Sequence, residues 1–82
     1  METEKIKMSQ LGEGECGTVT DIAVMGELRG RLTDLGLVPG TCVCCLRRAP
    51  AGSPIIYNIC GAMVAIRVCD AENIELERKI WD

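Results

Sequence analysis

A small, mainly β barrel with one inserted α-helix is the fold that the sequence predicts, and three observations lead to it. The chain has 82 residues, too few to close two hydrophobic cores, so residues 1–82 are read as a single domain. Short runs of alternating apolar and polar residues, bounded by Gly, Pro or Asn, recur along it, as strands joined by tight turns require. One stretch alone changes to the period of a helix. Composition agrees with a folded chain, because 48% of residues are hydrophobic and 26% charged, where a disordered chain carries fewer aliphatics and more net charge. Phe is absent and Tyr57 and Trp81 are the only aromatic residues, so Val, Ile, Leu and Met must build the core.

The opening MSQLGEGECGTV carries three glycines and reads as a turn leading into a strand anchored by Val19 and Ile22. Gly12, Gly14 and Gly17 do not make a phosphate loop, since no lysine follows at the required spacing. From Met25 to Leu35 the apolar residues Leu28, Leu32 and Leu35 fall at i, i+4 and i+7, which predicts a helix with one core-facing stripe. Gly30 inside it costs about 1 kcal/mol relative to Ala, so the helix depends on docking. Gly36 fits the left-handed position after the helix, Leu37 then folds back on Leu32, and Pro39 prevents continuation. Pro39-Gly40 suits a type II turn.

A strand follows over Thr41–Arg48, with Val43 and Cys45 on one face and Cys42, Cys44 and Leu46 on the other. Ala49–Pro54 is a loop. The runs IIYNIC and AMVAIRV flank Gly61 as a hairpin whose buried side holds Ile55, Tyr57, Ile59, Val64 and Ile66. A turn over Asp70–Asn73 leads to a last strand in which Ile74 and Leu76 alternate with Glu75 and Glu77. Five strands and one helix with tight turns imply a closed or nearly closed barrel.

Several function classes are excluded at this stage. His is absent, which removes the commonest general base, triad partner and metal ligand. The carboxylates Glu13, Glu15, Glu75 and Glu77 sit in solvated contexts and form no acid and base pair. With almost no aromatic residues and a net charge of −3, nucleic-acid binding by base stacking is not expected. No apolar run reaches the roughly 18 residues that span a bilayer, and METEKIKMSQ lacks the apolar region of an export signal. A cytoplasmic protein without direct membrane insertion, whose six cysteines are free thiols, is therefore expected.

The charge is segregated. Arg29, Arg31, Arg47, Arg48 and Arg67 stand against Asp34 alone in residues 29–67, while both flanking segments are acidic. The termini are expected to lie beside the basic middle and neutralise it. Among the cysteines, Cys42 and Cys45 satisfy C-x-x-C but point to opposite faces of a strand, whereas Cys42 and Cys44 share one and are the candidate pair for a soft metal ion such as iron or zinc. Two ligands are short of four, so Cys45 is read as a core residue and the others as incidental thiols. No resident cofactor is expected. Leu37, Val38 and Pro39 lie in a tight turn where the core accommodates one of them, and the remainder protrude as a docking knob. Arg31 and Arg47 are placed beside it.

The run LRGRLTDLGLVPGTCVCCLRRAPAGSPIIYNICGAMVAIR resembles the FeoA family in its L-x-x-L-G-L-V-P-G-T, its V-x-C-L-R-R-A-P and its G-x-P-I loop. MSQLGEGECGTVTDI is similar to the family's opening, so nearly the whole chain is covered. The resemblance implies an SH3-like barrel with an inserted helix and no catalysis. It also implies a role in ferrous iron uptake as an interaction module for the membrane transporter FeoB and its GTPase part. Cysteines at positions 42, 44, 45, 60 and 69 depart from the family's pattern and keep a transition-metal binding or sensing role as the alternative.

Overall fold

The chain folds around one antiparallel sheet of six strands, seen in a computed structural model that describes residues 2–80 and so leaves Trp81 outside the described residues. The strands are β1 (Thr3–Lys7), β2 (Cys16–Ile22), β3 (Cys42–Arg48), β4 (Ile55–Ile59), β5 (Ala62–Ile66) and β6 (Ile74–Lys79). They are ordered β1-β6-β2-β3-β4-β5. Helix α1 (Gly26–Asp34) links β2 to β3, and a single helical turn, α2 (Val68–Ala71), links β5 to β6. The sheet curls into a barrel-like SH3 form without closing, since β1 and β5 remain its two edges.

Alternation builds the core as the sequence predicts. Val43 and Cys45 on β3 and Ile55, Tyr57 and Ile59 on β4 are buried, as are Ile74 and Leu76 on β6, while their neighbours turn outward. Two bulges, one in the β2–β6 ladder near Thr20 and one in the β3–β4 ladder near Leu46, bend the strands and let a six-stranded sheet wrap one core. Met8 and Leu11, from a 3₁₀ turn after β1, close one end and are both fully buried. The Tyr57 hydroxyl donates to the Met8 carbonyl at 2.9 Å, so the largest core side chain leaves no buried polar atom unpaired.

Three expectations need correction. A sixth strand exists: β1 pairs with β6 from Thr3↔Lys79 to Lys7↔Glu75. Its sequence TEKIK carries one apolar residue, so no hydrophobic alternation announces it, and backbone pairing to a half-buried neighbour holds it. The strand expected to run on to Val68 stops at Ile66, because α2 turns there and buries Ala71 against the core. Finally, of the stripe Leu28, Leu32 and Leu35, only Leu32 is fully buried; Leu28 is half-buried and Leu35 is 38% exposed. The helix is thus lightly docked. A guanidinium supplements that contact, since Arg29 Nη1 donates to the Ile22 carbonyl at 2.6 Å and to that of Val24 at 3.4 Å.

Candidate functional site

The end of α1 forms as its residues dictate. Gly36 adopts φ +99°, the Leu37 amide donates to the Leu32 carbonyl at 2.9 Å, and the Gly36 amide donates to that of Thr33 at 2.9 Å. These are the paired bonds of a Schellman cap, and Leu37 packs fully buried against the same core as Leu32. The chain then reverses at Pro39-Gly40, with Gly40 at φ +98° and the Thr41 amide donating to the Val38 carbonyl at 3.0 Å, a type II turn. Val38, 43% exposed, and Pro39 stand at its tip.

That tip is braced from below. The Thr41 hydroxyl donates to the Gly36 carbonyl at 2.7 Å and accepts from the Val38 amide at 3.3 Å. The Gly40 amide donates to the Val19 carbonyl at 2.7 Å, and the Val19 amide to the Thr41 carbonyl at 2.8 Å. Two exposed apolar side chains are therefore held on a backbone with few accessible conformations, so little entropy remains to be lost on contact with a partner.

The predicted surface is narrower than its five residues. Leu37 is the one that the core takes and offers nothing to a partner. Arg31 is exposed in the last turn of α1, close to the tip in sequence, and lines a groove with Ala65 and Arg67. Arg47 lies five residues along β3 from Cys42, about 16 Å at the rise of a strand. It borders a different groove, with Pro50, Pro54, Ile56 and Met63. Sequence reasoning missed that second groove: Met63, 77% exposed, projects from the edge strand β5. An isolated methionine in an alternating run gives no signal of which outward residues meet across strands.

The charges are arranged differently from the expected neutralisation. Arg29 is spent on carbonyls at the end of β2, and Arg48 donates to the carbonyls of Ser9 and Leu11. Among the described residues, the ion pair that reaches a central arginine is Arg67–Asp70 at 3.2 Å. The acids of the flanks find cations of their own flanks instead, as Glu4 and Glu15 do at Arg78. Arg31 and Arg47 have no carboxylate partner among the described residues.

The cysteines separate into three kinds. Cys16 and Cys44 are joined as a disulfide, contrary to the expectation of free thiols, because they stand directly opposite each other in the β2–β3 ladder with Cα atoms 4.0 Å apart. The candidate metal pair Cys42 and Cys44 is thereby broken, since the Cys44 sulfur is bonded. No group of three or more Cys, Asp or Glu placed to hold a metal ion occurs among the described residues. Cys45 is fully buried, and burial pushes its thiol up and makes it inert. Cys42, Cys60 and Cys69 are exposed free thiols. No described helix is long and apolar enough to cross a membrane.

Comparisons with known proteins are consistent over nearly the whole chain. The FeoA domain model matches residues 6–78. The solution structure of the FeoA protein from Chlorobium tepidum is 39% identical, covers 94% of this chain and 73% of its own, and superposes with a TM-score of 0.86. A Porphyromonas gingivalis fusion of Fe(2+) transport protein A with the Fe(2+) transporter FeoB is 29% identical over 72 residues. That match takes in 88% of this chain, which spans 8% of the length of that curated relative. The fold alone is shared with the zinc-bound FeoA of Stenotrophomonas maltophilia, described as an SH3 domain protein, at 21% identity and a TM-score of 0.75, covering 87% of this chain and 88% of that one.

Proposed function

The chain belongs to the FeoA family, and from that premise we propose that it is a non-catalytic accessory of ferrous iron transport, docking on the cytoplasmic part of a FeoB transporter. The observation that carries the reading is the braced Val38-Pro39 turn, which holds exposed apolar side chains in one conformation. A relative in which the same kind of domain is joined to FeoB in one polypeptide supports the choice of partner. The joined domains remain at high effective concentration, an arrangement useful where the separate affinity is modest. Alternation, capping and turn chemistry account for the residues of this region.

Binding of the purified protein to the cytoplasmic part of its FeoB partner tests the reading. Val38→Asp should weaken binding at least tenfold, about 1.4 kcal/mol, with Tm within about 3 °C of the parent because the side chain lies outside the core. Met63→Asp, in the separate groove, should leave binding unchanged. Unaltered affinity in the Val38 variant sinks the docking turn, and loss only in the Met63 variant moves the interface to the outer face of β3, β4 and β5.

A further inference from the structure

We infer that the Cys16–Cys44 bond is a reversible thiol–disulfide exchange site, opened by dithiol reductants, that latches the seam between the two halves of the sheet. The sheet divides into β1-β6-β2 and β3-β4-β5, and β2–β3 is the junction between them. It has the shortest ladder in the sheet, Cys16↔Cys44, Gly17↔Val43 and Thr18↔Cys42, whereas β1–β6, β3–β4 and β4–β5 are each paired from end to end of a five-residue strand. The covalent link sits on this three-pair ladder. It also closes a loop, sequence separation 28, that contains all of α1 and the braced turn.

Access and chemistry favour exchange. Both residues point to the outer face; Cys16 is exposed and Cys44 half-buried. A reductant's thiolate can therefore reach the Cys16 sulfur without unfolding the barrel. The new bond forms from the attacking sulfur to Cys16 Sγ, the Cys16–Cys44 bond breaks, and its electron pair leaves on Cys44 Sγ, which takes a proton. The second thiol of the reductant then attacks the mixed disulfide, releasing Cys16 as a thiol and leaving the reductant as its own disulfide. Two electrons and two protons pass to the protein, and an oxidised dithiol reverses the sequence. The buried Cys45, on the inward face, takes no part.

Opening the bond leaves the fold standing. The Cys45 amide still donates to the Glu15 carbonyl at 2.8 Å and the Gly14 amide to that of Cys45 at 2.8 Å, while the two bonds between Val19 and residues 40 and 41 hold the far side. The oxidised and reduced forms thus share one architecture and differ in how tightly the lightly docked α1 segment is tethered. Such a pair of states is what a reversible latch requires.

The test uses the whole protein under native conditions, without denaturant. Air-oxidised protein treated with N-ethylmaleimide and mapped by mass spectrometry should label at Cys42, Cys60 and Cys69 but not at Cys16 or Cys44. After dithiothreitol both should label, and the labelled fraction should titrate reversibly across mixtures of reduced and oxidised dithiothreitol. Reduction should lower Tm by roughly 10 °C or more, as release of a loop of this length implies, and speed amide exchange in residues 26–41 several-fold. A Cys42→Ser variant should titrate as the parent does. Full labelling of Cys16 and Cys44 after oxidation, reduction only in denaturant, or unchanged exchange in residues 26–41 would overturn the proposal.

Discussion

At the scale of single residues, the chain uses polar side chains more often to satisfy backbone than to face a partner, and Tyr57 illustrates this. Its ring is fully buried and its hydroxyl donates to the Met8 carbonyl, which joins β4 to the turn that covers one end of the core. Burial, first, and then the nearby Cys45 thiol push the Tyr57 hydroxyl well above its ordinary value, against a smaller opposing effect of Arg48. The folded value is the higher one, so the hydroxyl's contribution is whole below pH of about 10 and is lost as pH rises further. Alkaline titration should therefore show tyrosinate absorbance at 295 nm rising together with loss of ellipticity, since Tyr57 is the only tyrosine. A tyrosinate that appears while the fold is intact refutes this. Tyr57→Phe should cost about 1 kcal/mol in urea denaturation. The tyrosine's inward place was legible from alternation along IIYNIC. Its partner was not, because Met8 is 49 residues away and only the tertiary fold brings them together.

Among the elements, α1 separates what local sequence determines from what packing determines. Its end was readable residue by residue, Gly36 at φ +99° and Leu37 turned inward, because capping is written in adjacent positions. Its depth of burial was not, since a stripe of three leucines does not say how much of it the sheet covers. Two glycine variants expose the difference. Gly30 faces open space, with no atom within 4 Å of where an alanine methyl would stand, so Gly30→Ala should stabilise by about 0.5–1 kcal/mol. Gly36→Ala should destabilise by about 1–2 kcal/mol, since φ is positive and its Cβ would stand 2.9 Å from Cys60 Sγ. Thermal denaturation of both reads opposite shifts, and shifts of the same sign would show that α1 contributes little to the cooperative fold. Strand β1 is the opposite case: a polar run that only a neighbour makes into a strand, and hence silent in the sequence.

For the molecule as a whole, the sheet's order decides which surfaces are free. Strand β6 lies one place in from the edge, between β1 and β2, and β1 screens it. Removing residues 2–7 should bare the β6 edge, delete the Glu4–Arg78 contact and cost on the order of 2–3 kcal/mol. The truncated protein should also self-associate, visible as a larger species in sedimentation; a monomer of unchanged Tm would refute the screening role. Surface shape and charge distribution were only partly legible at this scale. The exposed Val38-Pro39 tip followed from turn chemistry, but the separation of Arg31 from Arg47 and the pairing of Cys16 with Cys44 depend on strand register, which no spacing along the chain reveals.

The same pairing of β1 with β6 brings the first and last described residues together, the Ile80 amide donating to the Glu2 carbonyl at 3.0 Å. Both ends of the fold consequently leave through one doorway, so a longer polypeptide could carry this domain like a pendant from a single stem, with the α1 end of the barrel unencumbered by either attachment.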